Sequence, residues 1–78
     1  MSRPEFYRLV EGVIEEPAGS LKGDTPLADF PLWDSMALVG LIAAIDKELG
    51  VTVPARQLIA ARTADDIATL LGDKIAAA

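Results

Sequence analysis

Apolar residues recur at three- and four-residue spacing along three stretches of the chain, and that spacing predicts helices. Phe6, Leu9, Val10, Val13 and Ile14 share one stripe of a helix over about residues 3–15. Ser2 with Glu5 three residues later fits a capping box, and Pro4 is tolerated in the first turn, where its missing N–H has no partner to lose. Pro17, Gly19 and Gly23 stop that helix and open a loop of about fifteen residues, long enough to need pinning by its own side chains. Leu21, Leu27, Phe30 and Leu32 are the predicted pins.

A second helix is predicted over about 34–49, with Val39, Ile42, Ile45 and Leu49 as its inward stripe, supplemented by Leu38 and Leu41. Gly50 closes it, since glycine adopts positive φ without penalty. Val51 to Val53 look extended but have no pairing partner, and are read as loop. Pro54 suits the start of a short helix over about 54–60. Thr63 with Asp66 then caps a last helix over about 64–72 that carries Ile67, Leu70 and Leu71. Lys74 to Ala78 either extend it or fray.

Three longer helices and one short one have a simple packing solution: an all-α, four-helix bundle with a long first loop. The predicted core is Phe6, Leu9, Val13, Leu27, Val39, Ile42, Ile45, Leu49, Val53, Leu58, Ile67, Leu70 and Leu71. Composition agrees with this. The chain has 78 residues, 51% hydrophobic and 24% charged, which suits one small globular domain over 1–78 and leaves no room for a large enclosed active site.

Charge and residue usage then remove whole classes of function. Seven Lys plus Arg against twelve Asp plus Glu give a net charge of −5, with a pI near 4.4. Nucleic acid and anionic membrane are therefore poor partners. The chain has no histidine and no cysteine, which excludes disulfides, thiolate nucleophiles, Cys/His metal sites and histidine-based triads. No metal site and no enzyme activity are expected. The first residues, with Glu5 and no long apolar stretch, are unlike a secretory signal, and a cytoplasmic monomer is expected.

One position invites chemistry. Asp34 is a good N-cap, its carboxylate accepting first-turn N–H groups and complementing the helix dipole. Ser35 is then the first helical residue, its hydroxyl exposed where an esterified phosphate is best tolerated. No base stands at an obvious spacing from it, so an outside enzyme would have to modify it.

Asp34-Ser35-Met36, the aliphatic run from Ala37 to Ile45, the acidic end at Asp46 and Glu48, the turn at Gly50 and the Val53-Pro54 step together resemble the acyl and peptidyl carrier protein family. Met36 replaces the usual leucine of that motif. Thr63 to Ile67 is similar to the start of the family's final helix. The resemblance implies that Ser35 accepts a covalent 4′-phosphopantetheine arm from coenzyme A, delivered by a phosphopantetheinyl transferase with magnesium. Its thiol would carry acyl or aminoacyl groups as thioesters between a loading ligase and a downstream synthase or transferase. A stand-alone acyl carrier is the preferred reading, an aminoacyl or peptidyl carrier its alternative, and an unmodified helical interaction module the alternative from another class.

Departures from the pattern refine this. Ala37 and Gly40 stand where many fatty-acid-synthesis carriers have acids, and the acidity lies instead in Glu5, Glu11, Glu15 and Glu16 of the first helix and Asp24 and Asp29 of the loop. Docking by charge along the second helix is thereby weakened, which favours a specialised, polyketide-like or secondary-metabolite pathway over housekeeping fatty-acid synthesis. Met36 and Leu41 are candidate exposed partner contacts, though both could be partly covered by Phe30 and Leu32. Trp33 is read as a staple on the helix end ahead of a docking aromatic. Gly40 inside a helix costs about 1 kcal/mol against alanine, for either close approach of a partner or arm, or packing against the loop. Arg56 is a further candidate contact, with solvated surface its simpler role. Val39, Ile42 and Leu58 could line a pocket for an aliphatic chain.

Overall fold

The structure, a computed structural model, describes residues 1–75. Its helices are α1 (Arg3–Val13), α2 (Ser35–Leu49), α3 (Ala55–Ala60) and α4 (Ala64–Leu71), with short 3-10 turns at Leu27–Asp29 and Gly72–Lys74. No strand occurs among the described residues, and Val51 to Val53 are loop, with Val53 buried.

Local chemistry sets most of the boundaries. At α1, Ser2 Oγ accepts the Glu5 N–H at 3.2 Å and the Ser2 N–H donates to Glu5 Oε1 at 2.9 Å, a complete capping box. Thr63 and Asp66 repeat it at α4, the Asp66 N–H reaching Thr63 Oγ1 at 3.2 Å. Gly50, at φ 68°, closes α2 in the left-handed region. The end of α1 is less ordinary. The Glu16 N–H returns to the Glu11 carbonyl at 2.9 Å, closing the helix with Glu15 at φ 57° in the place where glycine is usual. This is why α1 stops at Val13 rather than near residue 15.

The bundle buries Phe6 and Val10 of α1 and Ile14 just after it against Leu41 and Ile45 of α2, Leu58 of α3 and Ile67 of α4. Several predicted core positions are corrected. Val39 is 67% exposed and Leu70 45% exposed, while Leu9, Val13, Ile42 and Leu49 are only partly buried at the rim of the core. Ala37, Ala64 and Ala68 fill the interior instead. Small residues at those places let the helices approach closely. With Val39 outside, an aliphatic pocket lined by Val39, Ile42 and Leu58 does not form as a set. Ile75 is buried after the 3-10 turn, so the chain past α4 folds back rather than extending the helix; residues 76–78 lie outside the described residues.

Residues 14–34 are held by four kinds of contact. Leu21 and Leu27 are buried and Phe30 is half-buried, as expected of pins, whereas Leu32 is exposed. The Leu27 N–H donates to the Arg62 carbonyl at 2.8 Å, and the Asp65 N–H donates to the Gly23 carbonyl at 3.1 Å. The Asp65 carboxylate accepts from Tyr7 Oη at 2.6 Å and from Arg3 Nη1 at 2.7 Å. A Cβ at Gly23 would lie 2.3 Å from Tyr7 Oη and 2.5 Å from the Asp65 oxygens, so any larger residue would have to push this hydrogen-bonded cluster aside.

The fourth contact is Glu11, which counts in the sequence only as part of the acidity of the first helix. Glu11 is 2% exposed, not a surface charge. Its Oε2 accepts the N–H groups of Gly19 at 2.9 Å and Leu21 at 2.8 Å, and its carboxylate is also paired with the Arg8 guanidinium. Burial pushes its pKa up, but the Arg8 and backbone N–H bonds outweigh that and hold it below the usual carboxylate range. The signal was its place on the inward side of α1, between Val10 and Ile14.

Candidate functional site

Ser35 is the first residue of α2 and is exposed. Asp34 before it is extended (φ −137°, ψ −169°), and its Oδ1 accepts the Ala37 N–H at 3.0 Å. One first-turn donor is thereby satisfied and the cap fixed, while the N–H groups of Ser35 and Met36 have no intrahelical acceptor by the geometry of any helix start. The Ser35 hydroxyl therefore stands beside unpaired dipoles that favour an anion. An esterified phosphate fits this place: no wall of side chains covers the serine, and the helix end offsets its charge.

The surroundings are apolar and open. Met36 is 82% exposed, and Ser35, Met36 and Val39 line a shallow hollow of about 260 Å³. On the other side of Met36, a groove of about 310 Å³ runs between α2 and the end of α1, lined by Val13, Glu15, Leu32, Asp34, Ala37 and Gly40. A third hollow, of about 350 Å³, lies between the loop and α3, with Trp33, Leu27 and Ile59 on its walls.

A family model described as "Phosphopantetheine attachment site" matches residues 5–71. The chain belongs to this family. Carrier domains of this kind are non-catalytic and bear covalently attached 4′-phosphopantetheine, and they work with a phosphopantetheinyl transferase and with partner synthases or ligases. No curated protein and no solved structure gives a significant match to this carrier. Among its described residues, no helix is long and apolar enough to cross a membrane.

The other sequence-predicted residues divide by side. Met36 and Gly40 are exposed on the carrier's α2, and Arg56 is exposed in the first turn of α3. Trp33 is half-buried, packed against the core from the loop, and its backbone N–H donates to the Phe30 carbonyl at 3.2 Å. Leu41 is a correction: it is fully buried and unable to meet a partner. Ala37 also faces inward, so a residue there does not set the charge of the docking face. Val39, which the sequence reading placed in the core, takes Leu41's role as the exposed aliphatic neighbour of Ser35. Only the polar side of a helix tells the two apart from sequence, and the middle of α2 has none.

Proposed function

We propose that Ser35 is the residue that accepts the 4′-phosphopantetheine arm, and that the chain is an acyl carrier shuttling thioester-bound intermediates in a specialised, polyketide-like or secondary-metabolite pathway. The observation that carries the assignment is an exposed primary hydroxyl at the first position of α2, fixed by the Asp34 cap. The arm, once attached, supplies the thiol that a chain without cysteine lacks. The chain's own residues position and present: Asp34 holds the helix start and the first-turn N–H groups favour the phosphodiester. Transfer forms the Ser35 Oγ–phosphorus bond, breaks the pyrophosphate bond of coenzyme A and releases 3′,5′-ADP, with the hydroxyl proton passing to a base of the modifying enzyme.

The specialised pathway is supported by the chemistry around Ser35. Trp33, Met36, Gly40 and Arg56 form our candidate partner-contact set, and its α2 portion is apolar rather than acidic. Such a surface selects partners by shape and burial of apolar area more than by long-range charge.

Incubation of the full chain with coenzyme A and a broad-specificity phosphopantetheinyl transferase, followed by intact-mass measurement, tests the assignment. One arm is expected on the wild type. Ser35→Ala is expected to keep its helical circular dichroism and take up none. A wild type that stays unmodified while a control carrier in the same tube is converted overturns it. Mass spectrometry of the thioester on protein from its native host then separates an acyl cargo from an aminoacyl one.

A further inference from the structure

Two residues of this chain are poor choices for their local backbone, and both face the same groove. Gly40 sits in the interior of α2, where glycine is costly, yet packing does not demand it: a Cβ there would meet only Val13 Cγ1, at an ordinary 3.5 Å. Glu15 occupies a left-handed position, φ 57°, that favours glycine, and it places a negative charge at the negative end of α1. Glycine at 15 and alanine at 40 would suit the fold better. Departures from local preference concentrate where a surface has another task.

The groove they share is lined by the apolar Val13, Leu32 and Met36 and by two acidic residues, Glu15 and Asp34. No lysine or arginine lines it. Gly40 lies about 7.5 Å along the helix axis from Ser35, and Met36 borders both this groove and the hollow shared with the serine. An enzyme engaging the Ser35 hydroxyl must contact the start of α2, so the near end of the groove, at Asp34 and Met36, falls under the same footprint.

We propose that the groove between the end of α1 and the first turns of α2 seats an apolar side chain of the transferase that modifies Ser35, with a lysine or arginine of that enzyme beside it pairing with Glu15 and Asp34. Gly40 leaves the groove open, and Glu15 supplies charge complementarity. The inference rests on the assignment of Ser35 as the modified residue, and extends docking from the exposed face of α2 to its junction with α1.

The test is the steady-state rate of arm transfer from coenzyme A by a phosphopantetheinyl transferase, followed by intact mass, with thermal unfolding of each variant in parallel. Gly40→Leu fills the groove and is expected to raise the KM for the carrier about tenfold. Glu15→Gly is expected to raise KM about threefold at low ionic strength and much less at high salt, while raising the unfolding temperature, a combination that a merely structural role for Glu15 would not give. Thr52→Leu, an apolar addition in the loop after α2, is expected to leave KM unchanged.

Unchanged KM in both groove variants, on a wild type that is modified, overturns this proposal and leaves the assignment of Ser35 standing. Unchanged KM together with a shift of the Gly40 amide resonance on arm attachment would assign the groove to the arm and overturn it equally. A wild type that takes no arm overturns both.

Discussion

Replacing Glu11 separates two ways in which a buried carboxylate can hold a loop. Both loop N–H groups, from Gly19 and Leu21, donate to the same oxygen, Oε2, while Arg8 faces the carboxylate through its guanidinium. Glu11→Ala removes the shared acceptor and leaves the buried Leu21 N–H and its neighbour unpaired. Each orphaned group costs about 1–3 kcal/mol, and partial entry of water into the vacated space brings the sum to about 2–4 kcal/mol. Glu11→Gln keeps a carbonyl oxygen at the Oε2 position and so keeps both backbone bonds. It loses the pairing with Arg8, whose side chain is half-exposed and screened, a cost of about 1 kcal/mol or less. For a chain of this size the total stability is about 4–12 kcal/mol, so the alanine variant forfeits a large share of it. Its unfolding midpoint should fall by about 10–20 °C, and that of the glutamine variant by only a few degrees. Thermal and urea unfolding at neutral pH, each followed by far-ultraviolet circular dichroism, read the midpoints and the free energies. Equal destabilisation by Gln and Ala would mean that charge, not the paired N–H groups, holds the loop; an alanine variant within about 0.5 kcal/mol of wild type would mean that the loop is not held there at all.

Gly40→Ala and Glu15→Gly are each expected to stabilise the chain by about 1 kcal/mol in chemical unfolding, the first through helix propensity and the second by relieving the left-handed backbone; a loss of stability in either would refute that account. Leu41→Ala should cost about 2–5 kcal/mol and Val39→Ala under about 0.5 kcal/mol, because the first is fully buried and the second two-thirds exposed. The reverse order would overturn the register of α2. Acid should destabilise the fold. Glu11 is lowered by its hydrogen bonds against the opposing effect of burial, and Asp65 is lowered first by the Tyr7 hydroxyl, then by Arg3, again against burial. Carboxylates depressed in the folded state contribute stability above their unfolded pKa and lose it as pH falls through the folded value, so unfolding free energy should hold from neutral pH to about pH 5 and decline below about pH 4.5. Asp65→Asn and Glu11→Gln should each flatten that decline, and an unchanged slope in both would show that other groups set it.

Caps and stop signals are chemistry between residues three or four apart, and they carry the same meaning in any fold. Ser2 with Glu5, Asp34 before Ser35, Thr63 with Asp66 and Gly50 therefore located the helices, and with them the serine at the start of α2, from the chain alone. What the tertiary structure decided is which side of each helix faces in. Along Leu38 to Ile45 apolar residues run nearly all the way round α2, and periodicity picks a face only where polar residues mark the opposite one. Contact with α1 and α3 turned Leu41 inward and Val39 out. Glu11 and Gly23 were settled in the same way, by a loop and a helix distant in sequence: a carboxylate is retained in the interior only because two N–H groups arrive to meet it, and a residue larger than Gly23 is opposed only because Tyr7 and Asp65 close over it. Local hydrogen bonding wrote the ends of the helices into the sequence, and the partners of their middles existed only after the chain had packed.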